Sequence, residues 1–172
     1  LSQGDAYASD LIKNLKKALA IRPYNPEGLY WLSYACRKAG DYDASVRYAK
    51  RALQYDEECV EAAVSISIGY IHKQQSDEMI ENLTEIFRKT SSPLMVKEEH
   101  FLTELNELID LFTSHYHDQW NVYTSFFLAD LNVMAQHLDK ASDVYNQVYT
   151  MSLDDQEEAA FLYTGMGKYF CF

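Results

Sequence analysis

Four consecutive residues, His115-Tyr116-His117-Asp118, form the one local cluster in the sequence that could bind a metal ion or shuttle a proton. Histidines two positions apart point to different sides of a helix, so they make a poor shared metal site. The run falls where a helix is expected to end, and cations there are favoured by the helix dipole. A helix-terminal role is therefore the preferred reading. His100, beside Glu98 and Glu99, reads as part of a solvated helix face. Gly165 and Gly167 lack the Gly-Lys-Ser/Thr pattern of a phosphate loop and are expected to serve close packing of a terminal helix. No serine or cysteine sits in a glycine-flanked nucleophile turn. Cys36, Cys59 and Cys171 are an odd, widely spaced set, which suits neither a disulfide framework nor a zinc site. A reducing cytoplasm is their simplest setting, with Cys36 an inert packing residue. The many carboxylates single out no pair for acid and base work. The expectation is a non-enzyme with no catalytic residues, no cofactor and no metal.

The chain has 172 residues, with 26 acidic against 15 basic side chains and a formal charge of −11. Such a charge repels phosphate backbones, which speaks against nucleic acid, and attracts a basic peptide or protein surface. It also serves solubility alone. No apolar run reaches the roughly 18 residues a membrane helix requires, so no membrane role is expected. No signal segment opens the chain, and the first residue is Leu1 rather than Met, as in a fragment or trimmed product.

Six glycines and three prolines are few for a β-rich protein, and the natural reading is long helices joined by short turns. Self-similarity supports it. Lys16-Lys17-Ala18-Leu19 reappears 34 positions later as Lys50-Arg51-Ala52-Leu53, and Ile86-Phe87 keeps the register. Leu15, Ala49 and Leu83 follow the same spacing, as do the pairs Leu32 and Ile66, and Ser33 and Ser67. A period of this length in a helical chain means hairpins that bury their apolar faces on one another. Asn25-Pro26 opens a helix, Gly40 ends it near Ala39, and Asp41 caps the next, about Tyr42 to Tyr55. Further helices are expected at about Glu58 to Lys73, Asp77 to Lys89 (capped by Ser76), Leu94 to His115, Asp118 to Gln136 and Asp139 to Met151. A last one, after the capping-box pattern Asp154-Asp155-Gln156-Glu157, runs to about Tyr169. With an unpaired first helix the count is nine. Residues 1–92 are expected to form a half repeat plus two hairpins. Residues 93–172 should hold a long helix, a degenerate hairpin and the terminal helix, packed with the first part as one array.

Over Asn25 to Glu58 the sequence resembles the tetratricopeptide repeat. Leu32, Gly40, Tyr42, Ala52 and Leu53 match the family pattern at the right spacing. Leu29 stands for its Trp, Ser33 for its first Gly, Cys36 for its first Tyr and Ser45 for its small residue. Ala49 replaces an aromatic and Glu57 a proline, which the preceding half-repeat keeps as Pro23. The likeness is clearest over residues 6–58, absent from Ser91 to Trp120, and returns weakly in Leu128-Ala129 with Ala141, Tyr145, Val148 and Tyr149. It implies an all-α, right-handed solenoid of stacked antiparallel hairpins whose first helices line a concave wall. Carried onto this chain, the wall comprises Tyr30, Tyr34 and Arg37, then Val64, Ile68 and Ile71, then Phe126 and Asp130. Relatives that grip a terminal carboxylate use Lys and Asn at two of these positions. Tyr30 and Tyr34 stand there instead, which speaks against such a clamp.

The implied function is a non-catalytic, cytoplasmic protein-interaction scaffold that takes a peptide or partner helix by apolar anchors. An acidic secretion-type chaperone is an alternative. A structural or dimerisation module is another, its groove filled by the long helix near Leu94 to His115. An open wall requires Tyr30, Tyr34 and Ile68 to be partly exposed in the free protein.

Overall fold

The computed structural model describes residues 3–89, 99–118 and 120–150. These residues form eight helices and no strand: α1 Gln3–Ile21, α2 Pro26–Lys38, α3 Tyr42–Tyr55, α4 Val60–His72, α5 Ser76–Lys89, α6 Glu99–His115, α7 Val122–Met134 and α8 Leu138–Thr150. The expected ninth helix, its capping box, Gly165, Gly167, Cys171 and the Pro93 break lie outside the described residues. The chain divides into two compact units, Leu1–Lys89 and Thr90–Phe172.

In the first unit each helix packs on its successor, and α2 also touches α4, so that neighbouring hairpins stack. The hairpins share their boundaries: α4 and α5 begin 34 residues after α2 and α3, and α7 and α8 begin 96 residues after them. The same turn chemistry closes all three. After α2 the Gly40 N–H donates to the Arg37 carbonyl and the Asp41 N–H to the Cys36 carbonyl, both at 2.9 Å. Two orphan carbonyls of the helix end are thereby satisfied, at the price of a left-handed residue. Gly40 has φ +77°, as its sequence position implies. At the equivalent turns Gln74 has φ +57° and Gln136 φ +62°. There Gln75 N–H donates to Tyr70 O and His137 N–H to Asn132 O. Sequence reading offered no glycine at these two turns and so no left-handed cap.

The helix starts follow the side chains that cap them. Asn25 Oδ1 accepts from the Gly28 N–H and Asp41 Oδ1 from the Ala44 N–H, the latter at 2.9 Å. α7 begins at Val122 rather than near Asp118, because Asn121 and Thr124 cap each other's backbone N–H groups. α4 begins at Val60, later than expected, because Asp56 to Glu58 form a turn in which Asp56 Oδ1 accepts from the Glu58 N–H. Ser76, expected as a cap, is the first residue of α5.

Small side chains set the helix spacing. Ser33 on α2, Ser45 on α3 and Ser65 on α4 are all fully buried. Ser33 Oγ lies 3.0 Å from Ser45 Oγ and 2.9 Å from Ser65 Oγ. Ala49, Ala52 and Ala62 are likewise sealed off. At Gly69 a Cβ would stand 2.5 Å from Val46 Cγ2, so α3 and α4 touch there with no room for a methyl group. α1 adds Ile12, Leu15 and Leu19 to a cluster of Leu32, Cys36 and Ala44. In the second unit Val122, Phe126, Ala129 and Val133 of α7 interlock with Ala141, Tyr145 and Val148 of α8.

Three outcomes follow. Ala52→Leu should overpack a closed contact and destabilise the fold by about 1–3 kcal/mol in a denaturant melt; an unchanged midpoint would contradict this packing. Gln74→Gly should stabilise by up to about 1 kcal/mol, since it relieves left-handed strain at some expense in unfolded-chain entropy. Gly40→Val should act in the opposite direction.

Candidate functional site

Tyr30, Tyr34 and Arg37 are spaced four and three residues apart, so they form one stripe of α2. Val64, Ile68 and Ile71 repeat that stripe on α4, the helix packed beside it. The structure thus brings these six onto two neighbouring helices. It does not leave them open. Relative exposure is 5% for Tyr30, 4% for Arg37, 2% for Val64, 0% for Ile68 and 7% for Ile71. Only Tyr34 is half-buried. The expected partial exposure of Tyr30 and Ile68 is therefore corrected. The reason lies in α4, where every residue from Ala62 to Ile71 is buried. A helix apolar on all sides is covered on all sides.

What remains accessible is an aromatic and cationic patch at the flank of the stripe. Trp31, which the register did not select, is half-buried. Its ring lies 5.2 Å from that of Tyr30 and meets Tyr34 edge-on at 5.8 Å. The Arg37 guanidinium and the Lys38 ammonium each lie 5.4 Å from the Tyr34 ring centre, within cation–π range. The run Tyr30-Trp31 followed by Tyr34 was the available signal for this cluster. Burial, then the nearby Glu61, raises the Tyr30 hydroxyl above its ordinary pKa, with Arg37 opposing.

Phe126 and Asp130 hold the same register in the second unit, and both are buried. The Phe126 ring meets Tyr145 of α8 at 5.7 Å, and Asp130 Oδ1 accepts a hydrogen bond from the Tyr145 hydroxyl. Both side chains therefore face the partner helix of their own hairpin. Tyr145 takes the position that Ala49 holds in the first hairpin, and its length carries a hydroxyl to the buried carboxylate.

α6 ends at His115, followed by a turn in which His117 Nδ1 sits 2.8 Å from Asp118 Oδ1 at an exposed position. Among the described residues no group of three His, Cys, Asp or Glu could hold a metal ion.

Cys36 is buried in the α1–α2–α3 core, and burial, then Asp41, raises its thiol pKa. Burial pushes the Cys59 thiol up to about 11, with Glu61 adding and the Ala62 N–H opposing. Folded chains therefore hold thiol protons that unfolded chains release above their ordinary value of 9.0. The associated stability is complete below that pH and is lost as pH rises through 11. Native Cys59 should react slowly with iodoacetamide near about pH 8, and the urea midpoint should fall on going to about pH 11. Fast native alkylation would contradict the raised thiol pKa.

Residues 26–59 match the family model of the tetratricopeptide repeat. No curated protein matches the chain. Among solved structures, a thermophilic tetratricopeptide-repeat protein of Thermus thermophilus aligns over 90% of this chain and 88% of its own, at 16% identity and a TM-score of 0.42. That overlap is too loose to carry an argument. The caps, the small-residue contacts and the family match converge on one segment: residues 26–59 are a tetratricopeptide repeat, and two further hairpins of the chain share its helix boundaries.

Proposed function

We propose that the chain is a non-catalytic protein-interaction scaffold that recognises a peptide or partner helix at the aromatic flank of α2. The observation that carries this reading is the half-buried pair Trp31 and Tyr34, with exposed Lys38 5.4 Å from the Tyr34 ring centre. Amphipathic rings held rigidly by their neighbours supply contact area at little entropic cost, which is why they recur as binding anchors. The setting proposed is the cytoplasm, where Cys36 and Cys59 stay free thiols. No described helix is long and apolar enough to cross a membrane.

The burial of Tyr30, Val64, Ile68 and Ile71 supports a second reading, in which the stripe is a closed structural contact of an assembly module. The two readings differ in what the flank does. A photo-crosslinking residue at Lys38 should capture a discrete partner, and Trp31→Ala with Tyr34→Ala should abolish capture. Aromatic anchors commonly contribute about 2 kcal/mol or more to binding. The double variant should keep its helical circular dichroism and most of its melting temperature. Loss of fold without a captured partner, together with a mass that rises with concentration, would favour the assembly module.

A further inference from the structure

α3 ends 34 residues after α1, so each position of α3 has a counterpart on α1. The counterparts of Ser45 and Ala52 are Leu11 and Ala18. In α3 both are fully buried, and Ser45 meets Ser33 of α2, the first helix of the same hairpin. Met79 in α5, and Ala141 and Val148 in α8, hold the same positions and are buried as well. On α1 the stripe is open. Tyr7, Leu11, Ala18 and Ile21 recur along it at helical spacing. Tyr7 is 71% and Ile21 82% exposed, Ala18 is exposed and Leu11 is half-buried. The face that α1 buries is a different one, about a quarter turn away, carrying Ile12, Leu15 and Leu19. It packs on α2, which takes the place that α4 takes beside α3.

Two features specify what fits the open stripe. α1 is thicker than α3 along this contact, with Leu11 in the place of Ser45 and Leu15 in the place of Ala49. A helix lying as close to α1 as α2 lies to α3 must therefore be thinner than α2, with glycine where α2 has Ser33. α1 is also polarised: Asp5 and Asp10 stand in its first half, and Lys13, Lys16 and Lys17 in its second. An antiparallel partner avoids like charge at both ends if it starts acidic and finishes basic. Residues 154–169, which lie outside the described residues, have this composition. Their capping-box pattern predicts a helix that is acidic from Asp154 through Glu158. Phe161, Leu162 and Tyr163 follow, then Gly165 and Gly167, and the segment's one cation, Lys168, comes near its end.

We propose that α1 of one copy is the docking face for residues 154–169 of a second copy, which lie across the exposed stripe as α2 lies across α3, so that copies join head to tail. The open apolar stripe makes the site, and the charges set only the direction of the entering helix. The contact uses neither Trp31 nor Tyr34 and stands or falls without the aromatic flank.

The test is sedimentation velocity on the full chain. A heterologous contact does not close on itself in a pair, so the mean mass should keep rising past two chains between about 1 µM and about 1 mM. Ala18→Glu puts bulk and negative charge on the stripe at an exposed helical position. Its melting temperature should match the wild type, and its association should weaken by about tenfold or more. Gly165→Gln with Gly167→Gln thickens the entering segment, keeps its charge and raises its helix propensity, and should weaken association to a similar degree. At concentrations where the wild type associates, each variant alone should sediment as one chain. An equimolar mixture of the two should form a 1:1 complex and stop there, because one intact face meets one intact segment. A wild-type mass of one chain throughout would overturn the proposal, as would undiminished association of Ala18→Glu. So would a mixture that stays monomeric with both variants folded by circular dichroism.

Discussion

Three fully buried serine hydroxyls, on α2, α3 and α4, meet at one point, and the first unit is arranged around that meeting. Helices can approach this closely only where side chains are small. Serine meets the size limit and also brings a polar group that must be satisfied once water is excluded. Ser33 answers both demands by lying within hydrogen-bond distance of its neighbour in the hairpin and its neighbour in the stack. The joint recurs one repeat later in altered form. Ser67 donates to the Ala63 carbonyl at 3.1 Å, and the Asn82 amide on α5 reaches both that carbonyl and Ser67 Oγ. The hairpin and the stack are thus fixed by the same atoms, so neither can loosen alone.

Close approach at the joint pushes bulk elsewhere. Aromatic rings supply contact beside these joints: Tyr42 of α3 stacks on His72 of α4 at 4.3 Å, and Phe112 meets Tyr116, one turn further along the chain, at 4.7 Å. They also gather at the margin of the first repeat, where Trp31 and Tyr34 are only half covered. Because α4 has no polar side, it occupies a central place, and the stripe that a repeat of this kind presents inward is closed.

Much of the architecture was legible from residue spacing. The 34-residue period, the small-residue positions of Ser33 and Ser45, and the limits of α3 follow from rules that depend on neighbours along the chain. Gly40 was legible because glycine announces a left-handed turn. Gln74 and Gln136 were not, since a glutamine there is held by the hydrogen bonds of the turn and gives no sign in its own chemistry. Phe126 and Asp130 stand 96 residues after Tyr30 and Tyr34, in step with the helix boundaries. Their exposure was not legible. Whether a stripe is open depends on what lies across from it, and Tyr145 opposite Asp130 is a long-range fact that no local pattern contains.

The unequal chemistry of the three turns leaves the hairpins unequally strained. In stacked repeats each interface counts nearly separately, so local differences persist and are not averaged over the whole. The glycine turn between α2 and α3 is relaxed, and those helices are also riveted by Ser33 and Ser45. The turn between α4 and α5 holds a glutamine in a conformation it resists. The first hairpin therefore closes without backbone strain, whereas the α4–α5 hairpin holds a strained turn shut through the Asn82 amide on Ala63 O and Ser67 Oγ.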